Sequence, residues 1–172
     1  MCDVAVSCEV DLLSNSCCAC PTRDIEAHVL LNAVQAWRYS YCGGDNWTYY
    51  RGVNTFLINV SSCSVEEKNR YDTEGDASAA TALSTYLQGV DNGKVVAILS
   101  ANTASGKLSN ALQTLQSLGM DVSDVKYRGS FAGVVQKGYP EKTVLRKVLT
   151  ETLSNANPAA LKATIAGNLH TQ

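Results

Sequence analysis

Two rhythms of apolar and polar residues run through this 172-residue chain. Val53 to Val60 (Val-Asn-Thr-Phe-Leu-Ile-Asn-Val) is β-branched and apolar, the pattern of a buried strand. The turn Asp91-Asn92-Gly93 launches Lys94 to Ser100, the most strand-like run in the sequence. Phe131 to Gln136 reads as another strand, closed by Gly138. Between them the rhythm becomes helical. Asp76 is a good N-cap, followed by Ala80, Leu83 and Leu87 on one face. Leu108, Ala111, Leu112, Leu115 and Leu118 form a second stripe, with Gly119 placed as a left-handed cap. After Pro140, Val144, Leu145, Val148, Leu149 and Leu153 fall in helical register, and Pro158 is placed to open a last short helix. The pattern predicts a mixed α/β fold, in which β-sheets pack with helices in a single compact domain.

The first fifty residues read differently. Residues 1–28 look irregular, and Val29 to Trp37 is an apolar stretch that runs into Trp37-Arg38-Tyr39-Ser40-Tyr41. These early stretches are expected to add strands to the main sheet or to form a second one. All seven cysteines (Cys2, Cys8, Cys17, Cys18, Cys20, Cys42 and Cys63) lie within the first 63 residues. That density predicts an oxidised, disulfide-stapled N-terminal segment and a secreted, extracellular protein. Zinc is the rival for close thiolates such as Cys18-Ala19-Cys20, but a matching second pair of ligands is missing. The odd count implies either an intermolecular bridge, which would give a disulfide-linked homodimer, or one buried free thiol. Cys2, Cys18 and Cys63 are the candidates for the odd cysteine.

Composition narrows the function. Hydrophobic residues are 45% and charged residues 17%, a globular balance rather than a disordered one. The net charge of −2 is spread along the chain, which offers no basic face to nucleic acid. No apolar run approaches the roughly 20 residues that membrane insertion requires. Met1 is followed at once by Cys2, so the chain reads as a mature form whose signal has been removed. The sequons Asn46-Trp47-Thr48 and Asn59-Val60-Ser61 agree with secretion. Only His28 and His170 are available for imidazole chemistry, and no nucleophile elbow, phosphate loop or paired-histidine helix accompanies them. The chain is therefore expected to bind rather than catalyse.

Two polar clusters could form a binding site. Asp72-Thr73-Glu74-Gly75-Asp76 alternates acids around a glycine, as a calcium loop does, though without the closing glutamate of an EF-hand. The bland alternative is a helix cap at Asp76 beside two solvated charges. The run Gly43 to Arg51 sets Trp47 among Asp45, Asn46 and Arg51, the mixture of ring and planar polar groups that sugars need. Equally, Trp47 and Tyr49 could be strand or core residues.

From Arg51 to Gly138 the sequence resembles the PANDER-like, interleukin-like EMT-inducer domain family. That domain also occurs as the stem of protein O-mannose N-acetylglucosaminyltransferase. The resemblance rests on Arg51-Gly52-Val53-Asn54, Tyr71-Asp72-Thr73, Asn92-Gly93-Lys94-Val95-Val96 and Leu115 through Gly119. The fifth piece is Tyr127-Arg128-Gly129-Ser130-Phe131-Ala132-Gly133-Val134 with Lys137-Gly138. Residues 1–50 and 139–172 match no pattern of the family. The resemblance implies sheets packed with helices, no enzymatic activity in the domain, and members that act as cytokine-like ligands or bind carbohydrate. In the stem domain, carbohydrate is held by an arginine, an acid and a second arginine. Those positions fall here on Arg51, Asn102 and Arg128, with an amide where the acid is expected. In overall character the chain is also similar to small calcium-dependent, galactose-binding invertebrate lectins.

Together these readings predict a secreted lectin for glycans with galactose-type terminal sugars. Arg51, Asn102, Arg128 and Trp47 would line its pocket, with calcium on Asp72, Glu74 and Asp76 or on Asp45 as a substitute. A cytokine-like ligand for a protein receptor is the alternative.

Overall fold

The computed structural model describes residues 7–14, 25–41, 50–149 and 159–166. Five strands form the main sheet: β4 (Gly52–Asn59), β5 (Ser64–Tyr71), β6 (Val95–Ala101), β7 (Ser130–Gln136) and β8 (Val144–Val148). Their order is β5-β4-β6-β7-β8, antiparallel throughout. A second antiparallel sheet contains β1 (Ser7–Ser14), β2 (Ile25–Leu31), β3 (Val34–Tyr41) and β9 (Ala159–Ala166), in the order β3-β2-β1-β9. Helices α1 (Ala77–Gly89) and α2 (Ser109–Ser117) complete the described elements, apart from a single 3₁₀ turn at Pro140–Lys142.

The strand period of two explains the three layers. On β6, Val95, Ala97, Leu99 and Ala101 face the second sheet, while Val96 and Ile98 face the helices. On β7, Ala132 and Val134 point one way and Phe131 and Val135 the other. All seven residues of each strand are buried, which is why both read as continuous apolar runs. One core thus lies between the sheets. The other lies beneath α1 and α2, around Leu83, Leu87, Leu108, Leu115 and Met120.

The predicted mixture of sheets and helices in one compact domain is present, but the balance is mostly β. Three expectations are corrected. Residues 1–28 are not irregular throughout: β1 alternates strictly, with Cys8, Val10, Leu12 and Ser14 buried. Val144–Val148 is a strand rather than a helix, because its apolar residues complete the edge beside β7. The predicted last helix after Pro158 is β9, whose eight residues all pair with β1. There tertiary pairing overrides the helix preference of an alanine-rich segment. Cys63 is likewise no candidate for an unpaired thiol. It is bonded to Cys8, which ties β1 to the β4–β5 turn and so joins the sheets. Cys2, Cys17, Cys18, Cys20 and Cys42 lie outside the described residues. No helix among the described residues is long and apolar enough to cross a membrane.

Candidate functional site

Antiparallel pairing gathers three chain positions at one end of the main sheet. Gly52 opposes Ala101, and Leu99 opposes Ala132. The residue entering β4, the residue leaving β6 and the turn entering β7 therefore share that end. They are Arg51, Asn102 and Arg128. Asn102 and Arg128 both have left-handed backbones, with φ of 60° and 62°. Asparagine tolerates that region well; an arginine there is uncommon and is held by its surroundings. The Gly129 N–H closes the turn onto the Lys126 carbonyl at 2.8 Å. Beside it the Arg128 guanidinium lies 5.5 Å from the centre of the Tyr127 ring, which is 60% exposed.

Arg51 grips Asp72 with two parallel hydrogen bonds. Its Nε donates to Oδ1 at 2.9 Å and its Nη2 to Oδ2 at 2.7 Å. Two glycines permit this approach. Gly52 has φ of +105°, and a Cβ there would stand 2.0 Å from the Tyr71 carbonyl oxygen. A Cβ on Gly75 would stand 2.3 Å from Arg51 Nη2. Arg70 adds a second cation, its Nη2 3.5 Å from Asp72 Oδ2 and its Nε donating to the Arg51 carbonyl at 3.0 Å. Burial works against the charged form of Asp72. The hydrogen bonds from Arg51 and the Gly75 N–H, with the charges of Arg51 and Arg70, outweigh it and hold the carboxyl below its ordinary range. The same hydrogen bonding to Asp72 raises the Arg51 pKa.

The expected calcium ligands are brought to one loop but committed to different tasks. Asp72 belongs to Arg51. Glu74 accepts from Thr103 Oγ1 at 3.0 Å and from the Gly106 N–H at 2.7 Å. Asp76 caps α1, accepting from the Ser78 N–H and hydroxyl, both at 2.8 Å; those bonds lower its pKa. Among the described residues no three acids, histidines or cysteines converge as a metal group would require. The donors here do not fit a calcium cage. Asp45 and Trp47 lie outside the described residues.

Sequence reasoning had not placed Asp72 with Arg51, nor given a role to Arg70 and Tyr127. A signal for the first was available: in a hairpin of β4 and β5, continuing the register past the Val53–Tyr71 pair sets Asp72 opposite Gly52, next to Arg51 in sequence. The corner combines planar cationic donors, a fixed carboxylate, an amide and an exposed ring. Such groups can recognise a polyhydroxylated ligand by bidentate hydrogen bonds and ring contact.

The family profile described as interleukin-like EMT inducer matches residues 51–139, just over half of the chain. The chain belongs to the interleukin-like EMT inducer family. This bears out the resemblance read from the sequence and covers all three corner positions. The family region spans β4 to β7 and both helices, whereas the second sheet lies outside it. No curated protein matches the chain.

Proposed function

We propose that this protein is a secreted carbohydrate-binding domain and that the Arg51–Asn102–Arg128 corner holds the sugar. The observation that carries the reading is the shared sheet end of these three residues, with Tyr127 exposed beside them. Asp72 does not contact the sugar but holds the Arg51 guanidinium in place. Arg51 and Arg128 donate to sugar hydroxyl oxygens, and the Asn102 amide can both donate and accept. Galactose-type terminal sugars are the first ligands to test. The proposal carries no cation, because the acids of the loop are engaged elsewhere. A glycan array read with calcium, with EDTA and after calcium is restored tests both points. Binding that survives EDTA and weakens about tenfold in Arg128→Gln is expected. Absence of any glycan binding overturns the reading.

A second reading has its own observation. Tyr127 and Leu149, which is 45% exposed, adjoin through the Lys126 N–H bond to the Leu149 carbonyl. An apolar patch beside charged groups also suits a cytokine-like contact with a protein receptor. Saturable binding to a protein partner stripped of its glycans would favour that reading.

A further inference from the structure

The two sheets are not closed equally along both sides. On one side β9 packs against β7 and β8. On the other, the edge strands β3 and β5 flank a cleft of about 460 Å³. Its floor is aromatic: the Trp37 ring lies 5.6 Å from Tyr50, edge-on, and 5.2 Å from Phe56. Its wall follows from the β4–β5 register. Asn54 opposes Arg70 and Phe56 opposes Lys68, so these four side chains share one face of the sheet. Asn54 donates to the Tyr50 carbonyl at 3.0 Å, which fixes its amide and leaves its carbonyl oxygen as an acceptor.

The charge of the cleft is one-sided. The chain is acidic overall, yet the charged residues lining this cleft are Lys68 and Arg70. Arg70 is partly occupied by Asp72 and the Arg51 carbonyl. Lys68 is exposed, and among the described residues no acid pairs with its ammonium group. Apolar ring edges, a fixed amide and an unneutralised cation together suit a pyranose ring that carries an anionic substituent.

We propose that this cleft is a second binding site, for a saccharide bearing a carboxylate or sulfate group, separate from the Arg51 corner. The anion pairs with Lys68 and is supported by Arg70. The less polar face of the ring rests over Tyr50 and Trp37, and a hydroxyl donates to Asn54 Oδ1. The groove at the opposite end of β4, about 440 Å³ and lined by Asn59, Glu66, Lys94 and Tyr139, carries charges of both signs and offers no such selection.

The test is calorimetric titration of the intact chain with three tetrasaccharides: an oligogalacturonate, a sulfated galactan and an unsulfated neutral galactan. Each titration is repeated with Lys68→Gln and with Arg128→Gln. At least one acidic sugar should bind about tenfold more tightly than the neutral one, as a charge-assisted contact gives. Comparing the two acidic sugars identifies the anion. Lys68→Gln should abolish that advantage, whereas Arg128→Gln, which weakens the neutral sugar at the corner, should leave the acidic sugar's own affinity for the cleft unchanged. Acidic sugars binding no better than the neutral one, an advantage that survives Lys68→Gln, or an acidic-sugar affinity lost in Arg128→Gln would each overturn the proposal. Failure of the Arg51 corner shows separately, as neutral-glycan binding that Arg128→Gln leaves unchanged.

Discussion

The two sheets solve the same burial problem with different resources. The five-stranded sheet is cut from one continuous stretch of chain and is covered on both faces, by helices and by its partner sheet. The four-stranded sheet is assembled from segments separated by more than a hundred residues and shares only one core. Closing such remote pairs costs chain entropy before any contact is made. Its stability therefore depends on the sheet beneath it and on the Cys8–Cys63 bond.

The sharpest way to break this comparison is to remove side chains from each layer. Phe131→Ala empties a fully buried position under the helices and should cost about 3–5 kcal/mol. Leu12→Ala, in β1, should cost about 2–5 kcal/mol. Urea unfolding measures both totals, and native-state hydrogen exchange measures where they fall. Leu12→Ala should release protection first in β1, β2 and β9, while Phe131→Ala should lower every strand together. Equal loss across both sheets in the two variants would show that they unfold as one unit, with no asymmetry between them.

Next in size is the disulfide. Cys63→Ser opens a link between residues 55 apart in sequence and should cost about 2–4 kcal/mol. The loss should again appear mainly in the four-stranded sheet. Smallest is an acid effect at the corner. The Asp72 pKa is depressed in the fold, so its stabilising contribution is present above the ordinary aspartate range and is lost as pH falls through the lowered value. Asp72→Asn should flatten the stability profile below about pH 4 and leave the neutral range with a small deficit. An unchanged acid limb would remove the Arg51–Asp72 pair from the account.

What could be read from the sequence divides along the same line. β4, β6, β7 and both helices carry their burial in local periodicity, so Val53, Ile98, Leu115 and Phe131 announce their elements. β5 does not: Ser-Val-Glu-Glu-Lys-Asn-Arg-Tyr is charged because an exposed edge strand protects itself from further pairing. β1 does alternate, but its period spans only eight residues and lies among cysteines whose density points to cross-links. For β8 and β9, short apolar spacings suit a helix or a strand equally, and only distant partners decide. The corner was half legible. Arg51 and Arg128 came from the family resemblance, whereas the Asp72 pairing needed the hairpin register.

The pairing of β1 with β9 has a topological consequence. Ser7 stands opposite Ala166, so the first and last described residues are neighbours on one rim. The domain is close to a closed circuit. A short bridge from residue 166 to residue 7, with a new break in the exposed Asp91–Asn92 turn, should give a circular permutant that folds. For the same reason the unit can be spliced into a surface loop of another protein without stretching its host.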